Sequence, residues 1–288
     1  SFKYDHRGNL LAKQQAIGTS TTAQLVYTYD KADRITQITY PSGRIVEYVY
    51  DSKGRVNLVQ TKANAGVGSW TVIASGHTYE PFGAIASVTL GNGLAITNDW
   101  GDEGRLVSQR LYRSSNNADV SYLSYGYDAD SNIASIEDHV DATNSVLYAY
   151  DEVGRLEFTV LDPSATVGSQ TLTYTTGTNQ LASFTDASGT RTVSYDGRGN
   201  TSSESRPGSI SASTAYDGYG RLTNYTRTDV GSNDFTYNGL DDRVTMALAT
   251  GGTRRFIYDG SGRVMGEYGT SASDVKAEFI WMSPSLAS

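Results

Sequence analysis

The sequence predicts an all-β fold of side-by-side antiparallel hairpins. Three observations carry that expectation. A short aromatic–acid motif recurs along the whole chain, the segments between copies alternate apolar and polar residues, and each alternating run ends in a turn signal. The motif, Tyr-Asp-x-x-Gly-Arg, is complete four times: Tyr50, Asp51, Gly54 and Arg55; Tyr150, Asp151, Gly154 and Arg155; Tyr216, Asp217, Gly220 and Arg221; and Tyr258, Asp259, Gly262 and Arg263.

Looser copies read YDHRGN at Tyr4, YDKADR at Tyr29, YEPFGA at Tyr79 and WGDEGR at Trp100. Others read YDADSN at Tyr127, YTTGTN at Tyr174, YDGRGN at Tyr195 and YNGLDDR at Tyr237. Tyr174, Tyr195, Tyr216, Tyr237 and Tyr258 stand 21 residues apart. Longer gaps hold loop-like inserts such as TKANAGVGS after Gln60 and RSSNNAD after Tyr112. No compositional break divides the chain. Residues 1–282 are expected to form one array of about twelve repeats, with 283–288 as a tail or a truncated closing segment.

Within a repeat, the first element is a strand. In RIVEYVY (Arg44–Tyr50), Val46, Tyr48 and Tyr50 share one face, and Ile45, Glu47 and Val49 the other. A turn follows at Asp51–Gly54. An aspartate at the first turn position accepts from a backbone N–H two residues on, and a glycine at the fourth takes positive φ. A type I turn closed by such a glycine is a common hairpin connection. Arg55 then opens the return strand. A second turn ends each unit: YPSGR at Tyr40, LGNGL at Leu90, DASGT at Asp186 and ATGGT at Ala249. No sustained 3.6-residue apolar stripe predicts a helix.

Composition agrees with this reading. The chain of 288 residues has 21 tyrosines against 7 phenylalanines, 30 glycines and no cysteine. Tyr, Thr and Val with many glycines suit short strands and tight turns. The absence of cysteine excludes a disulfide scaffold and a thiolate zinc site. The formal net charge of −8 argues against nucleic acid and anionic membrane as partners. No apolar run of about 18 residues occurs, so no membrane insertion is expected. The opening SFKYDHRGN lacks an initiator Met and a signal-like segment, and the chain is expected to be a piece of a longer protein.

Candidate chemical sites are few. His6, His77 and His139 lie in separate repeats without metal-type spacing, and are read as surface or turn residues. No Gly-x-Ser-x-Gly elbow is present, and a serine nucleophile needs a nearby base. Asp128, Asp130 and Asn132 begin like a calcium loop, but Ile133 and His139 stand where its glycine and glutamate belong. The acid pairs Asp241–Asp242 and Glu137–Asp138 are adjacent residues, which point apart, whereas glycoside hydrolysis needs facing carboxylates. GSGRVMG from Gly260 follows a strand but opens no helix, so it lacks phosphate-loop logic. No cofactor, metal or catalytic residue is expected. The tyrosine face is read as the lining of a wide cavity, with a glycan-stacking platform as its functional rival. Asp and Arg of the motif are read as fixing the turn, pairing within or between hairpins.

Tyr-Asp-x-x-Gly-Arg at this spacing, with a second small-residue turn between copies, resembles the YD repeats of bacterial Rhs proteins. It is also similar to repeats in the C component of insecticidal toxin complexes and in teneurins. The resemblance runs from Tyr4 to about Trp281. It implies hairpins wound into a curved or spiral sheet, part of a hollow β-shell around a C-terminal toxin or effector. It therefore implies a structural, non-enzymatic, secreted or cell-surface bacterial role, with the remainder of its own chain as partner. Family members release cargo at an Asp-Pro-x-Gly-Leu segment after the repeats. The only Asp-Pro, Asp162-Pro163, is followed by Ser164-Ala165 and more repeats, and is read as a turn. The alternative is a surface module binding glycans or a partner protein. An isolated array is expected to expose sheet edges that self-associate or are capped.

Overall fold

In the computed structural model, residues 1–17, 21–66, 68–161 and 170–284 are described. They form strands joined by turns, with one short 3₁₀ turn at Ala142–Asn144. In chain order the strands are β1 (Phe2–Tyr4), β2 (Leu10–Ile17), β3 (Thr21–Tyr29), β4 (Ile35–Thr39), β5 (Ile45–Tyr50), β6 (Val56–Lys62), β7 (Thr71–Tyr79), β8 (Ile85–Leu90), β9 (Leu94–Trp100) and β10 (Leu106–Arg113). Next come β11 (Asp119–Tyr127), β12 (Ile133–Asp138), β13 (Val146–Tyr150), β14 (Leu156–Leu161), β15 (Gln170–Tyr174), β16 (Leu181–Asp186), β17 (Gly189–Tyr195) and β18 (Thr201–Arg206). The last are β19 (Ile210–Tyr216), β20 (Leu222–Arg227), β21 (Gly231–Tyr237), β22 (Arg243–Ala247), β23 (Thr253–Tyr258), β24 (Val264–Tyr268) and β25 (Val275–Glu278). The fold is all-β, an antiparallel meander, as the alternation and turn signals predict.

The turn chemistry explains the register. The Asp51 N–H donates to the Arg55 carbonyl at 2.8 Å, and the Gly54 N–H donates to the Asp51 carbonyl at 3.0 Å. Gly54 adopts φ +80°. This is a type I turn closed by a left-handed residue, which puts one extra residue on the return strand. The pairing shifts accordingly at Val49/Tyr50, and it does so again beside Tyr150, Tyr216 and Tyr258. Every aromatic anchor of a complete motif thus sits beside a bulge, where twist increases.

The chain divides into two compact units, the first Ser1–Tyr79, Ser87–Gly93 and Asn233–Ser288, the second Glu80–Ala86 and Leu94–Ser232. In the first unit, early and late strands share a core. Leu25, Tyr27, Ile38, Tyr40, Val46, Tyr48 and Val59 are buried, as are Phe256, Ile257, Met265 and Tyr268. Polar tips tie the two stretches together. The Tyr40 hydroxyl donates to the Phe279 carbonyl at 2.7 Å, the Tyr48 hydroxyl to the Trp281 carbonyl at 3.0 Å, and the Gln15 amide to the Phe256 carbonyl at 2.8 Å. Arg44 and Glu278 form an ion pair at 2.9 Å.

The second unit is built differently. Its buried apolar side chains among the described residues are the small Ala95 and Ala212. Its strands β15, β17 and β19 alternate covered and exposed positions, the pattern of a sheet with one face in water. Sequence reading assigned the tyrosines to a cavity lining. In the first unit Tyr27, Tyr40, Tyr48 and Tyr268 instead fill a dry core, because late strands cover that face. Of the expected tail, residues 285–288 lie outside the described residues, as does the Asp162-Pro163 pair.

Candidate functional site

The four complete motifs share one arrangement. Asp51 Oδ1 accepts from the N–H groups of Lys53 and Arg55 at 2.8 and 2.9 Å, while its Oδ2 accepts from Arg55 Nε at 3.0 Å and Nη2 at 2.9 Å. Asp151 repeats this with Val153, Arg155 and the Arg155 guanidinium, and Asp217 with Tyr219, Arg221 and the Arg221 guanidinium. Asp259 accepts from Ser261 and Arg263 N–H at 2.8 and 2.9 Å, with the Arg263 guanidinium at 3.8 Å. Gly54, Gly154, Gly220 and Gly262 take φ of 80°, 77°, 80° and 78°. The Arg55 N–H and guanidinium hold the Asp51 carboxyl below its ordinary range, and Arg155 does the same for Asp151. Burial pushes Asp217 up, but the Arg221 and Tyr219 donors outweigh it and lower it on balance. Donors to the charged form favour that form.

The looser copies at Tyr4, Tyr29, Tyr127, Tyr195 and Tyr237 preserve the same hydrogen-bond logic. Where arginine is replaced by asparagine, the amide donates instead: Asn9 to Asp5, Asn132 to Asp128 and Asn200 to Asp196, each at 3.0 Å. At Tyr237 the roles are reversed. Asn238 Oδ1 accepts from the Leu240 and Asp242 N–H groups at 2.8 and 3.0 Å, and its amide donates to Asp242 Oδ2 at 3.0 Å. Asp33, Ser131 and Asp241 take the left-handed position at φ of 58°, 68° and 64°. Asp is among the residues that tolerate this region.

A second, longer-range contact was not legible in the motif. Ten anchors send their polar tips to the first residue of the preceding hairpin's return strand. Tyr29 donates to the Leu10 carbonyl at 2.8 Å, Tyr50 to Ile35 at 2.6 Å, Tyr79 to Val56 at 2.6 Å and Tyr127 to Leu106 at 2.8 Å. Tyr150, Tyr174, Tyr195 and Tyr258 continue the series to Ile133, Leu156, Leu181 and Arg243. Tryptophan serves where tyrosine is missing: Trp100 Nε1 donates to Ile85, and Trp281 Nε1 to Val264, both at 3.1 Å. Trp281 is therefore a thirteenth anchor. The signal that could have found it is the Trp-for-Tyr exchange already present at Trp100.

The motif arginine also reaches forward. Arg34 lies over the Tyr50 ring at 4.5 Å, Arg55 over Tyr79 at 4.6 Å, Arg155 over Tyr174 at 4.5 Å and Arg263 over Trp281 at 5.3 Å. Arg221 lies over Tyr219 of its own turn at 5.1 Å. Half of the ten clamped anchors thus combine a polar tip on a carbonyl with a guanidinium over the ring. Burial pushes the Tyr29 and Tyr50 phenols up to about 12. Neutral, hydrogen-bonded phenols are clamps, not bases.

Other candidates are placed as follows. His6 is exposed. His77 is buried, its Nδ1 at 3.1 Å from the Asn57 carbonyl, so it is not the surface residue the sequence suggested. The strand return brings His139 Nε2 within 2.8 Å of Ser124 Oγ, a pair that sequence reading missed because its members lie fifteen residues apart. Asp138 does not orient that histidine. Its carboxylate accepts from the Val140 and Asp141 N–H groups. Asp128 accepts from the Asp130 and Asn132 N–H groups as part of its turn. Among the described residues no group of three or more His, Asp or Glu could hold a metal ion, and no helix is long and apolar enough to cross a membrane.

Residues 4–45 and 29–67 match the family described as RHS Repeat. Comparison with curated proteins finds no match. Among solved structures, the chain is similar to the Photorhabdus luminescens Tc holotoxin pore, at 15% identity and a TM-score of 0.56, over 94% of this chain and 19% of that one. It is similar to the TcdB2-TccC3 crystal structure at 15% identity and a TM-score of 0.58, over 93% of this chain and 18% of that one. A TcdB2-TccC3-TEV structure matches at 14% identity and a TM-score of 0.58, over 96% and 18%. The chain thus spans less than a fifth of these matched chains, and the likeness establishes the fold. Residues 4–67 thus carry matches to the RHS repeat, and the same hairpin with the same turn chemistry recurs along the described remainder of the chain.

Proposed function

We propose that this chain is a non-enzymatic section of the wall of an RHS/YD-repeat shell, enclosing a C-terminal toxin or effector polypeptide of an exported bacterial protein. The observation that carries the reading is the recurrent clamp. Ten anchors each tie their hairpin to the one before it through an aromatic donor and a backbone carbonyl. Such a device maintains a continuous surface and offers no activated nucleophile. The fold shared with the TcdB2-TccC3 structures supports it. Partners on this reading are the remainder of the same chain and its cargo.

Limited proteolysis of the protein expressed from its whole gene tests this. The polypeptide encoded after the repeats is expected to survive proteinase K long after the same polypeptide, expressed alone, is digested. Equal digestion rates would overturn the proposal. Saturable glycan binding by the repeats together with unprotected downstream sequence would replace it with a surface-recognition role.

A further inference from the structure

We propose that the Lys13 amine and the Asp242 carboxyl condense into an intramolecular isopeptide bond that ties β2 to the turn before β22. Lysine is almost never fully buried unless it is paired. Lys13 is 5% exposed, on β2 of the first unit. Its Nζ lies 3.6 Å from Asp242 Oδ2, and the Asp242 side chain is only 12% exposed. Nζ donates to the backbone carbonyl of Asp259 at 3.1 Å. The Asp259 carboxylate is occupied in its own turn, where it accepts from the Ser261 and Arg263 N–H groups. Asp242 is therefore the carboxylate that faces the amine.

The geometry suits condensation. At 3.6 Å the contact is an ion pair and not a hydrogen bond. That separation is close to the roughly 3–3.5 Å at which held groups react. Asp242 Oδ2 also accepts from the Asn238 amide at 3.0 Å, a donor placed where negative charge grows when the carboxyl carbon is attacked. The Asp259 carbonyl fixes the amine on the other side. A lysine amine taken out of water is a competent nucleophile.

The step needs no co-reactant. One Nζ proton passes to the Asp242 carboxylate, which leaves a neutral amine beside a carboxylic acid. The nitrogen lone pair attacks Cγ and forms the C–N bond. A second Nζ proton goes to the acid oxygen, the C–O bond breaks with its electron pair, and water departs. The ammonium and carboxylate become one uncharged amide, which removes two charges from a site where holding them is costly. A cavity of about 640 Å³, lined in part by Leu10, Lys13 and Asp242, borders the pair and gives the water an exit. The bond fixes covalently the early and late strands that share the core of the first unit.

Mass spectrometry of the purified full chain tests this. The intact chain is expected to be lighter than its sequence by one water molecule. Trypsin should release a branched peptide that joins the Lys13 segment to the Asp242 segment, a readout that requires no variant to fold. Lys13→Arg keeps the positive charge opposite Asp242 but offers no amine, and should restore the full mass. Asp229→Ala, at an exposed ion pair with Arg227, should leave the water loss unchanged. Full mass with no branched peptide would overturn the proposal. So would a water loss that persists in Lys13→Arg, or one that maps to ring closure at an Asp-Gly pair such as Asp217-Gly218.

Discussion

One carboxylate organises each YD turn: it accepts two backbone N–H groups and faces a side-chain donor four residues on. Asp51, Asp151 and Asp217 are held below the ordinary carboxylate range by these donors. A depressed folded value contributes stability above the unfolded pKa of about 3.9, and that contribution is lost as pH falls through the folded value. The chain should therefore lose stability below about pH 4, and a triple Asp→Asn variant at these positions should show a flatter acid limb in thermal melts. Glycine gives a sharper test within one turn. Gly220 sits at φ +80°, where a Cβ would make only ordinary contact with Asn200 Oδ1 at 3.8 Å, whereas Gly218 is free of that constraint and a Cβ there meets nothing within 4 Å. Gly220→Ala should cost about 1–2 kcal/mol by denaturant unfolding, and Gly218→Ala close to nothing. The turn was legible because its chemistry is local. The Asn-ended copies looked degraded only because the sequence does not display the amide standing in for a guanidinium.

At the scale of the element, the unit is a hairpin clamped to its predecessor. Tyr50→Phe removes the donor to the Ile35 carbonyl while keeping the ring under Arg34. It should cost about 0.5–1.5 kcal/mol in denaturant unfolding. Because Tyr29 and Tyr50 are raised to about 12 from an ordinary 10, their contribution is present below pH 10 and lost as pH rises through 12. Alkaline unfolding should begin in that window, and the Tyr29→Phe/Tyr50→Phe pair should remove part of its pH dependence. The second turns carry a different constraint. A Cβ on Gly91 would lie 1.8 Å from the Val72 carbonyl oxygen, while the Gly91 N–H donates to Ile73. Gly91→Ala should destabilise by about 1–3 kcal/mol, read as a lowered melting temperature. The close approach pairs residues nineteen apart, and no turn signal announces it.

At the scale of the whole molecule, the same repeat serves two kinds of unit. In the first, Tyr40, Tyr48 and Tyr268 are fully buried and late strands cover early ones. In the second, small residues occupy the buried positions and the sheet keeps a wet face. Amides of β3–β6 and β23–β24 should thus exchange far more slowly than those of β15–β20, and similar protection across both sets would contradict this account. Tyr268→Ala should cost about 3–5 kcal/mol, as for other large buried aromatics.

The amino-acid sequence by itself determined the hairpin, its turn and its repetition. Alternation and turn chemistry act over fewer than ten residues, and a motif repeated twelve times averages away its exceptions. Only the tertiary structure decided which tyrosines are core, which carbonyl each anchor clamps, and that Trp281 is an anchor. Those outcomes depend on strands roughly 15 to 240 residues apart meeting, and the periodic pattern is the same whether a face is covered or left in water.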